Sequence, residues 1–322
     1  MATELGVAGV ARAVQVGSGV PAEARAARAA PVAVWVAVVA RVAPAVAEER
    51  VSEGGAGRTV LLGVAYDGAP WSGVAPQRNA VTVGERLLEA IHTFDPAVDK
   101  LKIASRTDAG VHAKAQRIAF DTRQDVDSRG WVLGLNRHLP GSIAVRFAAR
   151  VPFGFHPRFE ARGKRYRYLL LCDPVRDPLF DQRAWRLHDL TPDGCLAALN
   201  HELAAAVGRH DFSAFASARD RREHRDRHLT EACASRLPGT DLVAIDIAGD
   251  HFLHNMVRIL VGTAVDVARR RRPAGTLARA LASKDRRNAG MTAPPEGLYL
   301  EALSLSHEGE DRWPPSPAES AG

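Results

Sequence analysis

Apolar and polar residues begin to alternate in a regular way at about residue 59. Val60, Leu62, Val64 and Tyr66 interleave with Leu61, Gly63 and Ala65, which predicts a strand with two fairly apolar faces. Thr82 and Glu85 form a capping box ahead of Val83, Leu87, Leu88 and Ile91, whose spacing is helical. Residues 101–104 and 117–120 read as short strands on either side of a turn. Residues 131–139 read as a second helix, ended by Pro140-Gly141, and 143–147 and 164–172 as strands. Thr191-Pro192 opens a helix carrying Leu196, Leu199, Leu203 and Val207, with Gly208 as its stop. Residues 229–236 and 242–248 pair around Pro238-Gly239, with Val243, Ile245 and Ile247 on one face and Asp246 on the other. Residues 255–269 and 277–283 are helical, and 298–305 is a last strand. Mostly antiparallel strands mixed with helices indicate an α+β fold. No sequence repeat is visible.

Outside that pattern the chain changes character. Residues 1–57 are rich in Ala, Val, Gly and Arg. Their apolar run, 32–40, stops at Arg41, well short of the roughly 20 residues a membrane helix needs. Glu4 and the lateness of that run fit a secretory leader poorly. We expect a disordered extension over 1–57, with room for a short helix in 32–48. A disordered tail is expected over 307–322, where Pro314, Pro315 and Pro317 cluster. Between them lie an N-terminal half, 58–160, and a C-terminal half, 161–306.

A hydrophobic content of 46% allows a sizeable core. The three cysteines, Cys172, Cys195 and Cys233, form no C-x-x-C pair, so neither a zinc knuckle nor a disulfide framework is expected, and a reduced cytoplasmic setting fits. The net charge of +6 is unevenly spread. Residues 1–57 carry five Arg and five Glu, and 307–322 one Arg against four acids, which leaves +9 on 58–306. A basic folded part suggests a polyanionic partner, RNA or DNA first.

The most specific stretch is Arg106-Thr107-Asp108-Ala109-Gly110-Val111-His112. It follows the apolar run 101–104, which puts the Asp108 carboxylate on a tight turn at a strand end, within reach of a ligand. Gly110 permits close approach. An isolated Asp-x-Gly most often bonds its own backbone. Here further ordered motifs accompany it: Tyr66-Asp67-Gly68, Leu139-Pro140-Gly141-Ser142-Ile143-Ala144-Val145-Arg146, Phe155-His156-Pro157-Arg158-Phe159 and Lys164-Arg165-Tyr166-Arg167-Tyr168. Asp211-Phe212-Ser213-Ala214-Phe215, Met256-Val257-Arg258, Lys284-Asp285-Arg286 and Glu296-Gly297-Leu298-Tyr299-Leu300 follow in turn. In kind and order these resemble the motifs of the tRNA pseudouridine synthase A family, over roughly residues 58–305.

The resemblance implies two ferredoxin-like halves whose mixed, mostly antiparallel sheets join around a central cleft. It also implies a homodimer acting on tRNA, with uridines of the anticodon stem-loop as targets and no cofactor or metal. Asp108 would be the central catalytic residue, as nucleophile or as base on the sugar. It must be ionised, and a nearby cation favours that form. Arg258 matches the family arginine that pairs with it; the alternative is an Arg snorkelling from a helix surface. Tyr166 matches the tyrosine that stacks on the flipped uracil, and Leu298 a leucine lining the pocket, although Leu298 also suits an ordinary core. Tyr168 reads as a sheet residue. Arg106 is a second cation near Asp108, while Arg158, Lys164 and Arg165 are candidates to grip RNA.

Other features carry two readings each. Residues 219–228 hold five arginines against three acids, a solvated loop or a phosphate-contacting one. His112 and His156 suit a phosphate, the Asp turn or a structural role. His251 and His254 lack the partners of a metal site. The chain also departs from the family pattern. Val74-Ala75 stands where Trp-Gln is usual, Gly84 where Gln is usual, and Ser105 where Gly is most often found. None of these positions is Asp108, Tyr166 or Arg258. The chemistry is therefore expected to persist, while a different uridine or RNA, or an RNA-binding protein without turnover, stays open. A metal-dependent hydrolase lacks the ligand clusters it would need.

Overall fold

Every strand-forming run read from the sequence finds partners in one eleven-stranded sheet. The computed structural model describes residues 57–315; of the extension expected over residues 1–57, all but the last residue lies outside the described residues, as does the tail end, 316–322. The first half runs β1 (Arg58–Tyr66), α1 (Val83–His92), β2 (Lys102–Ile103), β3 (His112–Thr122), α2 (Ser128–His138) and β4 (Ile143–Val151). The second runs β5 (Ala161–Leu171), β6 (Trp185–Arg186), α3 (Pro192–Ala204), β7 (Gly208–Asp211), β8 (Asp226–Arg236), β9 (Leu242–Gly249), α4 (Met256–Ala268), α5 (Thr276–Ser283) and β10 (Leu298–Leu305). A last strand, β11 (Glu310–Trp313), follows.

The two halves share a topology that the sequence does not display. In the first, the spatial order is β4-β1-β3, with β2 on the far side of β3. In the second it is β10-β5-β9-β8. Both are β-α-β-β-α-β runs of the ferredoxin-like kind, laid down in the order fourth, first, third, second. The join is β10, which pairs parallel to β3 at Tyr299 and Leu300 and antiparallel to β5 along most of its length. The other long-strand pairings are antiparallel, as expected for the α+β class.

Local chemistry explains the elements. Thr82 caps α1 with its hydroxyl while Glu85 returns a bond to the Thr82 backbone, the reciprocal box seen in the sequence. Val60, Leu62, Val64 and Tyr66 meet Leu87, Ile91, Trp131 and Leu135 in the main core, and Leu61 packs on the other face with Phe147 and Val151. The strand expected at 117–120 extends back to His112, because Gln116 is buried yet satisfied by hydrogen bonds to Ser105.

The tail expected to be disordered from 307 is corrected in its first part. β11 pairs with β4 through Glu310–Arg150 and Trp313–Ala148. Trp313 packs against the core and lies under the Arg129 guanidinium, while Arg312 sits 3.9 Å above Phe147. One half-buried aromatic outweighs the neighbouring prolines. Among the described residues, no helix is long and apolar enough to cross a membrane.

Helix α4 is buried on almost every side. At Gly262 it lies so close to the following segment that an added Cβ would collide with the Met291 carbonyl. That closeness brings the 291–293 backbone onto the helix, where Ala293 donates to the Arg258 carbonyl at 3.0 Å. Gly262→Ala should therefore lower unfolding free energy by about 1–3 kcal/mol, as overpacking does. Denaturant titration checks this; an unchanged midpoint would contradict the packing described.

Candidate active site

The Asp108 turn is fixed before any ligand arrives. Tyr66 Oη and Thr107 Oγ1 share a hydrogen bond of 2.7 Å, and Gln116 Nε2 donates to the Ser105 carbonyl at 2.7 Å. Gly110 N–H donates to the Trp71 carbonyl, and Val111 N–H to that of Asp108. Gly110 has φ +77° and Gly73 φ +91°. A Cβ at Gly73 would lie 2.6 Å from the Thr107 carbonyl, so this pair of loops requires glycine there.

Above the turn stands the start of α4. Arg258 Nε donates to the Ala293 carbonyl at 2.7 Å. Its Nη1 donates to Asn255 Oδ1 at 2.9 Å and to Asp108 Oδ2 at 3.4 Å. Asn255 adopts φ +62° at the head of the helix and makes no side-chain cap; its amide oxygen serves the arginine instead. The other carboxylate oxygen, Oδ1, takes a hydrogen bond from His254 Nε2 at 3.2 Å. Asp108 is thus held from both sides while 35% of its side chain stays exposed, against 16% for Arg258. A carboxylate so placed is open to a substrate and already oriented.

Tyr166 lies beside it on β5. The ring is nearly buried, packs edge-on against Phe252 at 4.9 Å, and shares a hydrogen bond with Ser105 Oγ at 3.2 Å. Burial raises its hydroxyl pKa, with the Asp108 charge adding to the effect and the Ser105 bond opposing it. Ser105, a departure from the family pattern, therefore restrains this tyrosine. Leu298 pairs with Tyr168 across β10 and β5 and is buried in the core. Tyr168 is fully buried and donates to the Pro294 carbonyl, as a sheet residue should.

The cations divide. Arg106 and Arg158 are exposed, and neither side chain makes a hydrogen bond or ion pair with a described residue. Lys164 shares the Tyr166 face of β5 by strand alternation. Arg165 and Arg167 point to the opposite face, where they bridge Glu231 and Asp246. The structure therefore does not bring Arg165 to the tyrosine. Alternation along the strand carried that signal, and taking Lys164 and Arg165 together by sequence nearness passed over it. His112 is structural: its Nδ1 accepts from Gly68 N–H, so Nε2 carries the proton and donates to the Gln182 and Glu296 carbonyls. Its ring also stacks on Tyr299.

Two further residues escaped the sequence reading. His254, weighed there only as a metal ligand, touches Asp108; it precedes the helix that carries Arg258, so no helical spacing signalled it. Asp220 is the other. It is buried, bonds Arg222 through both oxygens at 2.6 and 2.9 Å, and accepts from His254 N–H at 2.8 Å. The Arg222 contacts hold its carboxyl well below the usual carboxylate range. A depressed carboxyl stabilises the fold above its unfolded value near 3.9, and that contribution is lost as pH falls below it. The gap in unfolding midpoint between the parent chain and Asp220→Asn should therefore be widest near pH 6 and shrink toward about pH 3. Thermal scans across that range check it; a constant gap would contradict the pairing. Among the described residues, no group of three His, Cys, Asp or Glu is placed to hold a metal ion.

Comparison with known proteins bears on this arrangement. Residues 203–304, which include Arg258 and Leu298, match a family model described as tRNA pseudouridine synthase. The chain is 38% identical over 251 residues to the tRNA pseudouridine synthase A of Herminiimonas arsenicoxydans, covering 76% of this chain and 89% of that one. It is 40% identical over 250 residues to that of Citrifermentans bemidjiense, covering 76% and 96%. The chain belongs to the tRNA pseudouridine synthase A family. A solved Cbf5-Nop10-Gar1 complex is far more remote, with a TM-score of 0.32 and 12% identity over 74% of this chain and 47% of that one. Within the family pattern, the unusual residues of this member meet in space. Gly84 N–H donates to the Val74 carbonyl at 3.0 Å, and a Cβ at Gly84 would come within 2.5 Å of it. Val74 and Gly84 thus form one packed backbone contact.

Proposed function

We propose that this chain isomerises uridine to pseudouridine in tRNA, with Asp108 at the chemical step. The supporting observation is the doubly held, half-open carboxylate between Arg258 and His254, beside Tyr166, in a chain of this family. The reaction exchanges an N-glycosidic bond for a carbon–carbon bond. The proton leaving the ring carbon is matched by one gained at nitrogen, so no net redox change occurs. Asp108 serves either as nucleophile at the sugar or as base on it. Arg258, fixed by two neutral acceptors besides the carboxylate, keeps the opposite charge in place without reorganising. The target base leaves its stack at a cost of a few kcal/mol. Stacking on Tyr166 offsets about 1–3 kcal/mol of that, with Leu298 completing the apolar wall. Arg106 and Arg158, whose side chains have no partner among the described residues, are suited to the RNA backbone. The working unit is read as a homodimer, to be checked by sedimentation.

The test uses unmodified tRNA with uridines in the anticodon stem-loop. Carbodiimide treatment and primer extension map pseudouridine after incubation with the purified chain. Stops in the anticodon arm support the reading and its proposed target. Stops elsewhere move the target. RNA binding without any stop leaves a protein without turnover on tRNA, and the Val74–Gly84 contact becomes the first place to look for the cause.

A further inference from the structure

Lys164 is an anomaly among the lysines. Lys102, Lys114 and Lys284 each sit on a carboxylate, those of Asp121, Glu301 and Asp211, and Lys100 is exposed to solvent. Lys164 is partly buried, yet its ammonium makes no hydrogen bond or ion pair with any described residue. What faces it is cationic or neutral: Arg158 from the segment before β5, Arg222 from the loop before β8, and the imidazole of His251 from the loop after β9. Burial, helped by the two arginines, pushes its pKa down to about 8. Burial also lowers His251, and Lys164, Arg222 and Arg227 add to the effect against Asp250.

A cavity of about 590 Å³ adjoins this group, lined in part by Arg222, Arg227 and His251. Arg227 Nε is buried there without an acceptor among the described residues. The acids of the lining are Glu223, Asp226 and Asp250, and none reaches Lys164. Asp250 is occupied by the His228 and His251 backbone. A concave cluster holding an uncompensated cation and an unused donor is a site for an anion.

Its place says which anion. Lys164 stands two residues before Tyr166 on the same strand face, roughly 7 Å along β5. Arg222 Nη1 donates to the Phe252 carbonyl at 3.0 Å, and the Phe252 ring packs on Tyr166. Arg222 also holds Asp220, which holds the His254 backbone. We propose that Lys164, with Arg222, Arg227 and His251, forms a phosphodiester subsite that grips the RNA backbone next to the nucleotide stacked on Tyr166. This rests on the reading of the chain as a tRNA-modifying enzyme. Occupancy would neutralise the cluster and, through Arg222 and Asp220, steady the loop that brings His254 to Asp108.

The experiment compares the parent chain, Lys164→Gln and Lys164→Arg. tRNA affinity is measured by fluorescence anisotropy against salt and from about pH 6.5 to 9.5, with pseudouridine formation and unfolding midpoints taken on the same preparations. Lys164→Gln should bind about tenfold more weakly, with the slope of log affinity against log salt shallower by about 0.7–0.9, the loss of one phosphate contact. Parent affinity should bend downward above about pH 8, as Lys164 loses its proton. Lys164→Arg should bind with a level profile, because a guanidinium stays charged. Identical salt slopes and pH profiles in the parent and Lys164→Gln, with conversion intact, would overturn the subsite alone. Conversion absent while the Lys164 effects hold would overturn the activity and keep the subsite. A parent chain that does not bind tRNA overturns both.

Discussion

Asp108→Asn should bind tRNA about as tightly as the parent chain and form pseudouridine at least about 10⁴-fold more slowly, the scale of loss when a nucleophile or central base is removed. The change keeps the shape. An amide oxygen can still accept from His254 or from Arg258, and the 105–111 turn is held by Tyr66, Gln116 and the Trp71 carbonyl rather than by this side chain. What disappears is the negative charge, and with it both nucleophile and base. The effect should lie in the single-turnover rate, with little change in binding. A variant turning over within tenfold of the parent would remove Asp108 from the chemistry.

Arg258→Lys should lower the turnover rate by about 10²–10³-fold, the cost of losing one preorganised donor group, and unfolding free energy by about 1–3 kcal/mol. The guanidinium spans three acceptors at once: the Ala293 carbonyl, Asn255 Oδ1 and Asp108 Oδ2. An ammonium is a point charge and cannot span them. If it follows the carboxylate it abandons two part-buried oxygens, and if it stays with them it abandons Asp108. Chemical denaturation and kcat measured together separate the two losses. A defect confined to KM would make Arg258 an RNA-binding residue instead.

Much of the fold was legible because strand and helix periods are local. β1, α1 and β10 fall where alternation and a capping box place them. β11 was not, since three prolines dominate the composition around Trp313, and a strand of four residues leaves no period to read. The repeated β-α-β-β-α-β order was hidden for a different reason: two halves can satisfy one topology with unrelated side chains. At the site, family motifs pointed to Asp108, Tyr166 and Arg258 individually. Their meeting is a fact of topology across 150 residues, which spacing cannot supply. Arg165 shows the reverse, since neighbours in sequence separate across a sheet. His254 went unseen because it lies outside the helix that makes its spacing to Arg258 meaningful.

The position of β10 governs when this protein can work at all. It lies between β3 and β5, so the strand joining the two halves is supplied only after residue 298 has been made. During synthesis each βαβ stretch can begin to fold as it emerges from the ribosome, yet the first half waits with Asp108 facing no arginine. Arg258 arrives next, still without a shared sheet to set its distance. Only the insertion of Leu298–Leu305 as a central strand brings the pair into register. A growing chain is thus inert toward RNA chemistry until residues 298–305 have emerged, and damage to the join would silence both halves while leaving each well formed.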